Sequence, residues 1–202
     1  MRLKMEIERY RTETRKERYT KKAKTAVTLP IEIVTVNFIN EENIGYLIRA
    51  CACFGVTHIH VIGTLPSHDA LRRCSGSTQD LVHISLYKTP GEFLKCIRDT
   101  HSYLVSLELT EAARPLITGN YLQAYTNRKA PYNFETNRYD NWLDSKLIIA
   151  IGNENVGVSP EILVKSDEIC CINMPGAGYS LNAAQTCNIA LYEITRQMGY
   201  QY

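Results

Sequence analysis

Three short segments of this 202-residue chain place polar residues where an apolar core has no use for them. The first, Asn40-Glu41-Glu42-Asn43-Ile44-Gly45, opens a helical pattern that carries Arg49 among Leu47, Ile48, Ala50, Cys51 and Cys53. A guanidinium keeps its charge and has five donors, so Arg49 on such a helix requires an anionic acceptor. That acceptor is either an ion-pair partner holding the fold or a phosphate or carboxylate in a site. The second segment, Gly152-Asn153-Glu154-Asn155-Val156-Gly157, follows an apolar run. Its two glycines let the backbone approach a ligand closely, and Glu154 is a reasonable partner for Arg49. Loops of this kind are common between strand and helix, and one alone means little. The third segment lies in the 24 residues from Ile169 to Tyr192, which contain no Asp, Glu, Lys or Arg. Within them Pro175-Gly176-Ala177-Gly178 leads into Ser180-Leu181-Asn182. Main-chain donors and acceptors among uncharged side chains suit a ligand such as an adenine ring and ribose. Ser180 itself reads either as the N-cap of the last helix or as a polar group of the site.

Other chemistry finds less support. The chain has no Gly-x-Gly-x-x-Gly and no Gly-Lys-Ser/Thr, which disfavours ordinary dinucleotide and phosphate-loop sites. His58 and His60 share a strand face, but no further ligand stands at metal-site spacing, so no metal is expected. Cys51, Cys53, Cys170 and Cys171 sit in apolar runs and read as core.

The elements that must position these segments alternate. Strand patterns cover Ile31–Phe38, Thr57–Ile62, Leu81–Tyr87, Tyr103–Leu109, Lys146–Ile151 and Glu168–Met174. Helical patterns cover Asn43–Phe54, Ala70–Arg73, Glu92–Arg98, Ser159–Lys165 and Ser180 to about Met198. Alternation of this kind means an α/β fold, a parallel sheet with helices on both faces, whose ligands bind beyond the carboxyl ends of the strands. Ser159 reads as an N-cap, with Pro160 in the first turn. On the last helix Ala184, Cys187, Leu191, Ile194 and Met198 make one apolar stripe, fit for the core or for self-association. Residues 121–142 differ in kind: six aromatics mix with Arg128, Lys129 and Arg138. They either anchor a long loop or stack bases.

Composition sets the outer limits. Hydrophobic residues at 45% and charged residues at 22% exclude a disordered chain, and the length fits one domain. No apolar run approaches the roughly 20 residues of a membrane span. The first residues lack the apolar centre of a secretory signal. Seven Cys without a Cys-x-x-Cys pair fit reduced thiols in a cytoplasmic protein. Charge is uneven: residues 1–24 hold ten Lys/Arg against four Glu, a local +6 on a chain of net +2. Residues 1–28 therefore read as a basic arm or helix, solvated or in contact with a polyanion, ahead of a domain spanning 29–202.

Together the three segments resemble the signature motifs of the SpoU-type (TrmH-like) branch of the SPOUT RNA methyltransferases. The first motif stands here as Asn43-Ile44-Gly45, Arg49 and Phe54-Gly55-Val56. The second is Gly152-Asn153-Glu154 with Gly157 and Ser159-Pro160-Glu161. The third is Ile172-Asn173-Met174-Pro175-Gly176 with Ser180-Leu181-Asn182, and Arg73-Cys74-Ser75-Gly76 resembles a further turn of the family. Asn173 replaces the family's usual Pro, and the aromatic stretch 121–142 is longer than the usual connection.

The resemblance implies a C-terminal deep trefoil knot holding S-adenosylmethionine, and a homodimer whose active site is completed across the interface. It implies cofactor contacts from Gly152, Ile172, Met174 and Leu181, and a catalytic group of Asn43, Arg49, Glu154, Ser180 and Asn182. The implied reaction is methyl transfer to a ribose 2′-hydroxyl, with the counterpart of Arg49 as base. A guanidinium pKa above about 12 suits Arg49 better to holding phosphate and stabilising an alkoxide. The compact chain and basic arm favour tRNA over rRNA. The alternatives are an rRNA 2′-O-methyltransferase, a non-catalytic cofactor- and RNA-binding homologue and, disfavoured by the missing glycine fingerprint, a nucleotide-binding oxidoreductase.

Overall fold

The computed structural model describes residues 14–36, 38, 40, 42–127, 132–133, 138–139 and 145–199. Helix α1 (Arg15–Ala23) starts at a capping box, in which the Thr14 hydroxyl accepts from Glu17 N at 3.2 Å and the Glu17 carboxylate accepts from Thr14 N at 2.7 Å. Lys21, Lys22 and Lys24 are exposed. The rest of the basic arm, residues 1–13, lies outside the described residues.

Strand β1 (Ile31–Val36) leads to α2 (Glu42–Cys53), β2 (His58–Ile62) and α3 (His68–Ser75), capped by the Ser67 hydroxyl. Then come β3 (His83–Tyr87), α4 (Pro90–Ile97) and β4 (Tyr103–Leu107). A two-residue strand β5 (Arg114–Pro115), helix α5 (Tyr121–Asn127) and the short pair β6 (Tyr132–Asn133) and β7 (Arg138–Tyr139) follow. The chain closes with β8 (Leu147–Ile151), α6 (Pro160–Lys165), β9 (Glu168–Cys171) and α7 (Ala183–Gln197).

Among the described residues seven strands form one sheet in the order β3-β2-β1-β8-β4-β9-β5, all parallel. The central strand β8 is buried along its whole length because both faces are covered. Leu147, Ile149 and Ile151 join the larger core with α2 and α7. Ile148 and Ala150 face the smaller one with Phe93 of α4 and Ile162 of α6. The α/β architecture with helices on both faces is thus the observed one.

Several local expectations need correction. The stripe of Ala184, Cys187, Leu191 and Ile194 is buried in the chain's own core, so it is not a free association face. Helix α7 begins at Ala183 rather than Ser180, because the Asn182 side chain, and not the Ser180 hydroxyl, caps it by accepting from Ala184 N at 2.8 Å. Ser159 holds the N-cap position of α6, but its hydroxyl makes no capping bond and is buried without a partner. Strand β9 stops at Cys171, leaving 172–182 as a loop, and β4 stops at Leu107, just before a carboxylate that bonds elsewhere. All seven cysteines are free, but Cys53 is exposed and Cys171 half-buried, so only Cys51 and Cys170 of that group are fully core.

From the aromatic stretch, Tyr121 acts as an anchor. It is fully buried and donates from its hydroxyl to Leu116 O at 2.8 Å. Arg128, Lys129 and most of 130–144 lie outside the described residues.

Candidate active site

A cavity of about 360 Å³ opens beyond the carboxyl ends of β4, β8 and β9. Gly152, Glu154, Ile172, Met174, Ser180 and Leu181 all line it. These are six of the nine residues singled out from the sequence, drawn from two segments that lie apart in the chain. Its wall from Cys170 to Thr186 carries no charged side chain; the carboxylates at its edge are Glu108 and Glu154.

The Gly152–Gly157 loop owes its shape to its sequence. Asn153 and Gly157 exchange main-chain hydrogen bonds of 2.9 and 3.0 Å, and the Asn153 side chain accepts from Asn155 N and Val156 N. Gly157 sits at φ +68°, and a Cβ there would strike the Glu108 carboxylate. A Cβ on Gly152 would lie 2.6 Å from the Gly157 carbonyl carbon. Larger residues would force the hairpin apart. Glu108 braces it from outside, accepting from Val158 N at 2.7 Å and Leu109 N at 2.9 Å. Sequence reading missed Glu108; the available signal was a carboxylate directly after an apolar strand, at the end of the sheet where ligands bind.

Asn43, Arg49 and Asn182 line a neighbouring depression between α2 and the start of α7. One amide network ties it to the cavity. Asn182 Nδ2 donates to Asn43 Oδ1 at 2.9 Å, Asn43 Nδ2 donates to Glu154 Oε1, and Asn40 N donates to the same oxygen at 3.3 Å. Asn43 is buried, so losing either contact would strand a polar group away from water. The three segments therefore meet through Asn43, Glu154 and Asn182.

Arg49 departs from the ion-pair expectation. Its apolar neighbours point into the core, while it belongs to the exposed stripe Glu42, Tyr46, Arg49 and Cys53. Among the described residues it makes no ion pair or hydrogen bond, and Glu154 is taken up by Asn43 instead. A guanidinium left open in a polar depression is free for an external anion.

Below the cavity, Cys170 sits in a buried cluster. Burial and the nearby Glu168 carboxylate push its thiol up to about 12, so it is no thiolate nucleophile at neutral pH. Burial opposes the charge of Glu168, but hydrogen bonds from Arg114 and Cys170 outweigh it and hold that carboxyl below its usual range.

A model of the SpoU rRNA Methylase family matches residues 30–192. Among curated proteins none matches by sequence. Solved structures do. The A. aeolicus TrmH/SpoU tRNA modifying enzyme aligns with a TM-score of 0.64 at 22% identity, over 84% of this chain and 76% of its own. The SpoU methyltransferase AviRb from Streptomyces viridochromogenes, in complex with AdoMet, aligns with a TM-score of 0.67 at 20% identity, over 85% of this chain and 62% of its own. A protein solved for insights into 2-OH methylation of C/U34 on tRNA gives 0.64 at 21% identity, over 84% and 96%. At these identities the likeness to the solved structures is one of fold. No described helix is long and apolar enough to cross a membrane.

Proposed function

The chain belongs to the SpoU rRNA methylase family of RNA methyltransferases, and from that premise we propose that it transfers a methyl group from S-adenosylmethionine to a ribose 2′-hydroxyl of RNA, tRNA before rRNA. The observation that carries this reading is the meeting of three sequence-distant segments through Asn43, Glu154 and Asn182, at the boundary between the cavity and a depression in which Arg49 has no partner among the described residues.

The residues present fit the methyl donor. About 360 Å³ lies within the roughly 300–1,000 Å³ of small-molecule sites. Gly152, Ile172, Met174 and Leu181 would hold it, largely through main-chain groups. A Cβ at Gly176 or Gly178 would meet nothing within 4 Å, so the space beside this loop is open. When bound, S-adenosylmethionine supplies a methyl carbon made electrophilic by its sulfonium.

The chain's own groups have separate tasks. The planar guanidinium of Arg49 grips the phosphate next to the target ribose and stabilises the 2′-oxygen as its proton leaves to solvent and its lone pair takes the methyl group. Asn43 and Asn182 fix the ribose and the Arg49 side of the depression, Glu154 holds Asn43 in register, and Ser180 borders the donor. Orientation of this kind is worth up to about 7–11 kcal/mol. The exposed lysines of α1 contribute a phosphate-binding arm, and two of the structural relatives are described by their action on tRNA.

The remaining features follow from the same family premise. The segment from β8 to α7 forms the deep trefoil knot. Two copies pair through the outer face of α7, where Ile189 and Tyr192 are exposed, and through Tyr46 of α2, completing the site. The protein works in the cytoplasm.

The test is incubation with methyl-labelled S-adenosylmethionine and separate tRNA and rRNA pools, followed by digestion to nucleosides. Label in 2′-O-methylnucleosides of the tRNA pool is the expected result. Label confined to rRNA would move the substrate, and label on bases, or none, would overturn the reading.

A further inference from the structure

At the opposite end of the sheet, strand register assembles a cluster that has no part in methyl transfer. Val34 of β1 pairs with His60 of β2, which sets Glu32 beside His58 and His60 on the face under α4. Glu32 Oε2 lies 2.7 Å from His60 Nε2, and Glu32 Oε1 lies 3.4 Å from His58 Nδ1. One ligand atom from each of the three residues falls within 4.8 Å of the others. The Glu32, His58 and His60 side chains are 14%, 25% and 4% exposed, so the cluster is nearly dry yet reachable from the His58 side.

The outer ring nitrogens are held by polar neighbours. His60 Nδ1 lies 3.0 Å from the Tyr87 hydroxyl, and His58 Nε2 lies 2.9 Å from Ser85 Oγ. These contacts turn the inner nitrogens, His60 Nε2 and His58 Nδ1, toward the Glu32 carboxylate, so that three possible ligand atoms face one point. Fixing of the remote ring nitrogen by a polar neighbour is the arrangement that orients histidine ligands of metals.

We propose that Glu32, His58 and His60 form a zinc-type divalent metal site, with water in the open position. Two imidazoles and one carboxylate are a common three-ligand set for Zn²⁺. Bonds of about 2.0–2.1 Å in a tetrahedron set ligand atoms about 3.3 Å apart. His58 Nδ1 stands 3.4 Å from Oε1, near that value, while His60 Nε2 stands 2.7 Å from the other oxygen, Oε2, so the carboxylate must turn and the His60 contact open for one oxygen to serve both. Phe93 and Tyr87 close the inner side, with ring centroids 5.2 and 5.6 Å from that of His60. Bound there, the ion clamps β1 to β2 and acts on stability, not on turnover.

The test uses the tag-free full chain, stripped with chelator and titrated with Co²⁺ as a spectroscopic stand-in. A visible ligand-field band saturating at one equivalent, displaced by Zn²⁺, is expected, together with a rise of several degrees in Tm on adding Zn²⁺. His60→Gln and the milder His58→Ala both abolish the band, Glu32→Gln weakens binding at least tenfold, and Cys53→Ser, an exposed thiol elsewhere, leaves it unchanged. His58→Ala removes a quarter-exposed side chain and keeps the fold if His60→Gln does not. The proposal is overturned if millimolar Co²⁺ gives no band, or if binding survives His58→Ala. The two rings would then serve only as hydrogen-bond partners of Glu32.

Discussion

The two ends of this one sheet use polar residues in opposite ways. At the carboxyl ends they sit on loops and on the first turns of α2, around an open cavity and a polar depression. The charged Arg49 has no partner there among the described residues, and the linking contacts pass through the amides of Asn43 and Asn182. At the amino ends of the strands they project from the strands themselves and pair inward: Glu32 with two histidines, Glu168 with Arg114, Tyr103 and Cys170. The first arrangement leaves interaction energy unspent until a ligand arrives. The second pairs its groups across neighbouring strands and so acts on the fold, with an ion at Glu32 adding to that pairing if one binds. Substitutions should therefore split by end, with rate lost at one and stability at the other.

The sharpest test of that split is Arg49→Lys. The charge stays and, because the side chain is exposed and has no partner among the described residues, unfolding should be unchanged within about 0.5 kcal/mol. Turnover should fall by about 10²–10³, the usual loss for a transition-state charge donor, because the planar fork is gone. Methyl-transfer kinetics beside a thermal melt would read both. Near-normal turnover would remove Arg49 from the site.

Asn43→Ala crosses the boundary. It should lower turnover by about 10–100-fold with little change in donor affinity. It should also cost about 1–3 kcal/mol, since the Asn182 amide and the Glu154 carboxylate each lose a partner. Donor binding by calorimetry, set against single-turnover rates, separates the two effects. Gly157→Ala should act one step earlier. At φ +68° and against Glu108, the new Cβ should disturb the loop, weaken donor binding about tenfold and cost roughly 1–3 kcal/mol. Equal donor affinity in wild type and variant would mean that the hairpin does not shape the cavity.

The same division explains what could be read without coordinates. Loop chemistry is carried by consecutive residues, so Gly152–Gly157 and Met174–Asn182 announce themselves, and period-2 and period-3.6 patterns locate the main strands and helices that present them. Contacts set by strand register leave no such trace. Nothing in the spacing of His58 and His60 reveals that Glu32, on the neighbouring strand, completes their cluster. Glu108 likewise meets Val158 only after β4 and β8 pair, 50 positions apart. Arg49 was misjudged because apolar neighbours along the chain were read as apolar surroundings, whereas a helix separates residues one apart onto different faces. The two-residue β5 and the helix α5 escaped notice because neither is long enough to show a period. The Ser180 cap failed because Asn182 can cap α7 with its oxygen while its amide reaches α2, a double duty visible only in three dimensions.

The smallest expected effect lies at the other end of the sheet, at Glu168. Its carboxyl is held below the ordinary Glu range in the folded chain, by Arg114 and Cys170 against the opposing pull of burial. A depressed folded pKa makes the unfolded chain the better proton binder, so the stabilisation is complete above the ordinary value of about 4.3. It is lost as pH falls from there through the lowered folded value. Arg114 is half exposed, so solvent screening keeps the contribution below about 1 kcal/mol. Glu168→Gln should therefore lower stability slightly at neutral pH and flatten the decline of stability below about pH 4.3, with kcat unaffected. Urea unfolding of both proteins across the acid range measures this directly. Parallel pH profiles would show that Glu168 carries no linked proton, and a fall in kcat would show that the amino-end pairing reaches the cavity through Cys170.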